Sequence, residues 1–302
     1  MRILIAGCGD VGAALGVELA ARGHEVWGLR RDPAGLPAAI RPLGADLTRP
    51  ATLVGLPRGI DVVVYTAAPV ESTDGAYRAI YVEGLQGLLE ALMARGQAPH
   101  RIVFTSSTAV YGQTDGSWVD ETSPTEPREF RGRRLLEAER LLEASGWPAT
   151  VVRLGGIYGS GRTRLIERLR RGQASCVEGP PRYGNRIHRD DCVGALRHVV
   201  ELARPARLYL AVDHEPAEEC EVLRWLASQL GLPAPPVVPA GAARRRSNKR
   251  CRNDRLVASG YRFRYPTFRE GYAVELRGLA SRADRAPARH PPASGGEGER
   301  ER

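Results

Sequence analysis

The amino-terminal run Met1-Arg-Ile-Leu-Ile-Ala-Gly7-Cys-Gly9-Asp-Val-Gly12 sets a short apolar segment directly before a Gly-x-Gly-x-x-Gly turn and an alanine-rich stretch. Ile3 to Ala6 reads as a buried parallel strand, and the residues after the turn predict a helix over 13–22. Each glycine has its own physical task. Gly7 permits the tight turn, Gly9 lets the backbone approach a pyrophosphate, and Gly12 lets the helix lie close to the sheet. The N–H groups at the helix start, those of Asp10, Val11 and Gly12, have no partner within the helix and sit at the positive end of its dipole, so they suit phosphates. The bland alternative is a strand–helix unit whose glycines serve packing alone.

Gly23-His24-Glu25-Val26-Trp27-Gly28-Leu29 reads as a second strand. An acidic residue about 20 positions beyond the glycines normally accepts hydrogen bonds from the ribose hydroxyls of NAD. Arg30 and Arg31 stand there instead. A guanidinium pairs a 2′-phosphate through charge-assisted, bidentate hydrogen bonds, so NADP(H) is favoured over NAD(H). Solvated loop charge is the competing explanation in so arginine-rich a chain.

The chain has 302 residues and is 42% hydrophobic, enough for one large α/β domain with a smaller appended lobe. Its net charge of +9 draws attention to nucleic acid, but much of it lies in the stretch from Arg244 to Arg255. That stretch has no reading helix and no interleaved aromatic residues, and it reads as a local anion site or a solvated loop. No nucleic-acid partner is expected. Five cysteines, Cys8, Cys176, Cys192, Cys220 and Cys251, are scattered without metal-ligand spacing, which points to a reduced cytoplasm and no metal. The first apolar run is too short for a signal peptide, and no segment approaches the ~20 apolar residues of a membrane helix.

Strand and helix patterns alternate from there. Ile60 to Ala68 is a buried strand running into a small-residue loop. Tyr77, Ile80, Tyr81, Leu85, Leu88 and Leu92 recur at helical spacing. Arg101 to Ser107 is a strand, 131–145 a helix, and Ala149 to Leu154 another strand. This alternation predicts a parallel sheet with helices on both faces. Beyond Gly155 come a glycine-rich loop and a basic helix near 163–171. A helix follows over 191–203, with Asp190 placed to cap it. The reading continues with a strand at 207–213, a helix at 217–230 and a proline-rich connection at 233–239. From Ser281 the chain is Arg-, Pro-, Gly- and Glu-rich and predicts a disordered tail to 302.

Three further blocks carry a family likeness: Phe104-Thr-Ser-Ser107-Thr-Ala-Val-Tyr111-Gly112, Arg153-Leu-Gly-Gly-Ile-Tyr158-Gly, and Ile187-His188-Arg-Asp190-Asp191. With the glycine loop and Asp46-Leu47, the chain resembles the extended short-chain dehydrogenase/reductases, the epimerase/dehydratase group, from residue 1 to about 275. It is most similar to an atypical subgroup whose loop is Gly-x-Gly-x-x-Gly. The resemblance implies a Rossmann doubly wound parallel sheet over 1–160, with 191–213 returning to it. It also implies a smaller C-terminal substrate lobe over 161–190 and 214–280. Asp46, Leu47, Ala67 and Ala68 are then cofactor-contacting positions beside Gly7, Gly9 and Gly12. The implied partners are a small-molecule substrate and a second copy of the chain as a homodimer, with no membrane.

Ordinary members use a tyrosine and a lysine one helical turn apart, the ammonium lowering the phenol pKa. Lys249 is the only lysine here, so that pair is absent. Depending on register, Glu129 or Phe130 takes the tyrosine position and Arg133 or Arg134 the lysine position. Either arginine suits a nicotinamide ribose, yet no guanidinium exchanges protons near neutrality. Tyr81 replaces the family's supporting asparagine, and its helical spacing explains it as core. Candidates for proton transfer are then Ser107, Tyr111 and His188, with Tyr158 in reserve, each with a structural alternative. Two functions follow: an NADP(H)-dependent oxidoreductase or epimerase-like enzyme acting on a small hydroxyl or carbonyl compound, or a non-catalytic NADP(H)-binding regulatory or scaffold protein.

Overall fold

A computed structural model describes residues 1–159, 161–240 and 247–284. Seven strands, β1 (Arg2–Ala6), β2 (Glu25–Arg30), β3 (Arg41–Gly44), β4 (Val62–Tyr65), β5 (Arg101–Ser107), β6 (Ala149–Leu154) and β7 (Leu208–Ala211), form one parallel sheet. Their spatial order is β7-β6-β5-β4-β1-β2-β3. The order reverses between β1 and β4, and ligands of open α/β sheets bind in the crevice beyond the carboxyl ends of strands at such a reversal.

Side chains alternate across a strand, so a strand covered on both faces must be apolar throughout. Ile3, Ile5, Val62, Val64 and Val103 pack with Leu15 and Leu19 of the helix Asp10–Ala21 and with Val199 of the helix Arg189–Glu201. Leu4, Ala6, Val63, Tyr65, Ile102 and Phe104 pack on the other face, with Leu85, Leu88 and Leu92 of Gly84–Ala94 and Leu135, Ala138 and Leu142 of Phe130–Ala144. A third apolar cluster stands apart from both. It joins Ile166 and Leu169 to Val222, Leu223 and Leu226 of the helix Glu219–Gln229, and to Phe268 and Tyr272 of the helix Phe268–Asp284.

Several local expectations change. The first helix begins at Asp10, three residues early, and no side chain caps it. The cap of Arg189–Glu201 is His188, whose ring nitrogen accepts from the Asp190 amide, and not Asp190. The helix Phe268–Asp284 carries order past Ser281, where the tail was expected to begin; 285–302 lie outside the described residues. Within the proline-rich connection, Val237–Val238 pairs with Cys176–Val177. The basic stretch does have aromatic partners, supplied from afar: Arg250 lies over Trp118 and Tyr183, and Arg252 over Trp118. Arg244 to Arg246 lie outside the described residues. All five cysteines are free and buried. Among the described residues no helix is long and apolar enough to cross a membrane.

Asp213, just after β7, is 1% exposed, and its Oδ2 has no hydrogen-bond partner among the described residues. Burial pushes this carboxyl up to about 8, against the pull of Arg186. An unfolded carboxyl titrates near 4, so between about pH 4 and pH 8 the native state holds one more proton than the unfolded chain, and stability falls as pH rises. Asp213→Asn is therefore expected to melt higher than the parent at pH 8, with the gap closing toward pH 4. A gap independent of pH in thermal unfolding would exclude this origin.

Candidate active site

A cleft of about 860 Å³ opens beyond the carboxyl ends of β1 and β4. Its floor is the glycine loop, and the three glycines have three different reasons. Gly7 has φ +88°, and a Cβ there would lie 2.2 Å from the Cα of Ala67, so the loops after β1 and β4 touch backbone to backbone. At Gly12 a Cβ would lie 2.8 Å from Oγ1 of Thr66, which itself donates to the Gly7 carbonyl. Gly9 differs: a Cβ would meet nothing within 4 Å. The protein's own packing does not require that glycine, whereas a phosphate held on the uncapped helix N-terminus would.

Gly7, Gly9, Asp10, Val11, Gly12, Arg30, Arg31, Asp46, Leu47, Ala67 and Ala68 all line the cleft. Arg162, from the loop after β6, crosses to Asp10 at 2.9 Å, and Arg189 reaches the other oxygen of that carboxylate. Hydrogen bonds from Thr48 help hold the Asp46 carboxyl low despite its partial burial, with Arg31 and Arg49 adding to them. This surface fits a dinucleotide, with open space at Gly9, helix-start amides that have no partner among the described residues, and arginines at the far end of β2.

The helix Phe130–Ala144 has a register that the sequence left open. A Cβ at Gly132 would lie 2.2 Å from the Ala109 carbonyl, so this helix rests directly on the turn after β5. That contact turns Arg131 and Leu135, one helical turn apart, into the cleft. Arg133 and Arg134, expected at the ribose, lie outside the cleft lining: Arg133 donates to the Arg128 carbonyl, and Arg134 pairs with Asp74 and Glu137. Phe130 stands edge-on to Tyr77.

Of the proton-transfer candidates, only Ser107 lines the cleft. Its Oγ accepts from the Ala109 amide, which uses a lone pair and leaves the hydroxyl proton available. Tyr111 is buried: its hydroxyl donates to the Asp120 carbonyl and accepts from Arg153, and burial pushes its pKa up. His188 is 1% exposed and held between the Asp190 amide and Glu275. Tyr158 packs on Tyr272 and His188 in the third cluster. These three do structural work away from the cleft. Residues that the motif reading passed over, Thr66, Tyr77, Arg131 and Leu135, line it, as does Tyr81, which its helical spacing explained as core.

A family model described as "NAD dependent epimerase/dehydratase family" matches residues 3–205. The chain belongs to that family. Among its relatives, the 3-diazoavenalumate denitrifying reductase of a Streptomyces species is 30% identical over 308 residues, covering 91% of this chain and 100% of the relative. A structure described as an NAD-dependent epimerase/dehydratase of Methylobacillus flagellatus is 39% identical, with TM-score 0.77, covering 92% of this chain and 98% of that one. MoeE5, solved with UDP-glucose and NAD, is 25% identical with TM-score 0.77, covering 94% and 100%. The helix Phe130–Ala144 presents Arg131 and Leu135 to the cleft.

Proposed function

We propose that this protein is an NADP(H)-dependent oxidoreductase acting on a small carbonyl or hydroxyl compound. The observation that carries the cofactor choice is the pair Arg30 and Arg31, which line the cleft at the end of β2 and form no ion pair among the described residues. The next acid, Asp32, turns its carboxylate to the Ala34 amide. Two uncommitted guanidiniums where a ribose 2′-position falls favour a phosphate there. Gly9, Asp10, Val11 and Gly12 would hold the pyrophosphate, with Asp46 and Leu47 on the adenosine side and Ala67 and Ala68 below the nicotinamide half. Arg162 would close over the phosphates. The bound cofactor supplies or accepts hydride. The lobe over 161–190 and 214–280 shapes the substrate end, and Ser107 contacts substrate.

NADPH is expected to bind at least ten times more tightly than NADH, about 1.4 kcal/mol, and Arg30→Ala with Arg31→Ala should remove the preference. Equal affinities for the two cofactors in a direct titration would overturn the assignment. A second reading, a non-catalytic NADP(H)-binding regulator or scaffold, draws support from the missing tyrosine–lysine pair. Transfer of label from 4-deuterated NADPH to any member of a carbonyl panel would exclude it.

A further inference from the structure

The long helix behind the cleft is not regular. Between Asp74–Tyr77 and Gly84–Ala94 it widens into a π-helical turn over Arg78–Glu83, a rare feature that is frequent at functional sites. The Gly84 amide reaches back five residues to the Ala79 carbonyl, and the Ile80 carbonyl takes the hydroxyl of the wholly buried Tyr65. Gly84 fits closely here: a Cβ would lie 3.0 Å from the Tyr65 hydroxyl and 3.1 Å from the Ala79 carbonyl oxygen. The widened turn is thus built into the core from below.

Its consequence lies on the other side. Tyr77 and Tyr81 both line the cleft with Thr105, Ser106 and Ser107. Their rings are 5.4 Å apart, and Tyr81 stands edge-on to Phe104 of β5, the strand that ends in Ser107. Neither hydroxyl has a hydrogen-bond partner among the described residues, and both side chains are only half-buried, so a ligand can reach them. Nothing else on this wall replaces the missing phenol, since the matching helix offers Arg131 and Leu135. The only lysine, Lys249, is buried elsewhere and donates to Ser247.

We infer that Tyr81 is the proton donor of this enzyme, delivered to the cleft by the π-helical turn, and that the site works as a reductase of a carbonyl group. This rests on the oxidoreductase reading above. A bound dihydronicotinamide would supply hydride to the carbonyl carbon and leave oxidised. The C=O π pair would move onto oxygen and take the Tyr81 proton, giving the alcohol, and water would reprotonate the phenolate. Tyr81, not Tyr77, takes this role because it is packed against the sheet core, edge-on to Phe104 of the strand that ends in Ser107. Burial raises the Tyr81 phenol pKa, and with no lysine to lower it the group stays protonated. A phenol that keeps its proton through neutral pH enters the cycle as the acid, the form that carbonyl reduction uses.

The test uses the full chain labelled with 3-fluorotyrosine, the residue-81 signal being assigned by its loss in Tyr81→Phe. Saturating NADP⁺ should shift that ¹⁹F signal, and 2′-phospho-ADP-ribose, which lacks nicotinamide, should not. Binding of both ligands with no shift, or the same shift from both, would overturn the placement while leaving the cofactor reading intact. If neither ligand binds, the cofactor reading itself fails and this proposal with it. With NADPH and a panel of quinones and ketones, Tyr81→Phe should lower kcat roughly hundredfold without changing the Kd for NADPH, and Tyr77→Phe should lower kcat far less than Tyr81→Phe does. The parent kcat should be level through neutral pH. A fall near pH 7, or full turnover in Tyr81→Phe, would assign the proton to another group, and a parent that reduces no member of the panel would overturn the reductase reading while cofactor binding stands.

Discussion

Gly9→Val is expected to weaken NADPH binding at least a hundredfold, about 2.7 kcal/mol, while the melting temperature stays close to that of the parent. The two halves of this expectation have separate causes. Gly9 has a negative φ that any residue adopts, and a Cβ there meets no protein atom within 4 Å, so the folded chain tolerates the substitution. The same open space lies over the N-terminus of Asp10–Ala21, where a pyrophosphate would take the free amides, and isopropyl methyls would occupy it. The equivalent change at Gly7 would not discriminate, because φ +88° and the Ala67 backbone forbid a side chain there for structural reasons alone. Isothermal titration of the folded variant decides the matter: unchanged affinity would mean that the loop is structural and that the dinucleotide lies elsewhere.

The second large effect concerns the wall that carries Ser107. Glu139, on Phe130–Ala144, and Arg153, on β6, form a buried ion pair at 2.6 Å, with side chains 9% and 7% exposed. Ser106 donates to the same carboxylate, and Arg153 continues to the Tyr111 hydroxyl. Removing one member strands a buried charge, so Glu139→Ala is expected to cost about 3–5 kcal/mol in chemical denaturation. Replacing both members, Glu139→Leu with Arg153→Met, is expected to recover much of that loss, since an apolar pair of similar volume needs no desolvated charge. A single substitution costing under about 1 kcal/mol would show that the pair is hydrated and that something else fixes this helix against the sheet.

This network also explains why motif reading reached Tyr111 and Ser107 together although only one faces the cleft. Both belong to the same run after β5, and in sequence each is a hydroxyl near a strand end. Arg153, 42 positions further on, claims the Tyr111 hydroxyl and makes it structural. His188 follows the same logic: a histidine in a family block has its ring nitrogens occupied by the Asp190 amide and by Glu275, 87 residues away. A titratable side chain read in sequence carries its chemistry but not its partners.

The sequence by itself determined the parallel sheet, the glycine loop and the arginines that end β2, because these depend on neighbours along the chain. A strand buried on both faces must be a continuous apolar run, and Gly7, Gly9 and Gly12 sit at the fixed offsets of one turn. Only the tertiary structure decided which side chains share the cleft. The helix after β5 could be read in more than one register until Gly132 met the Ala109 carbonyl, which brought Arg131 and Leu135 inward and left Arg133 and Arg134 outside. Tyr81 read as core by its helical spacing until the Tyr65 hydroxyl and the close fit at Gly84 revealed a π-helical turn that sets it in the wall. In both cases the deciding contact joins segments distant in sequence, and periodicity along one helix carries no record of it.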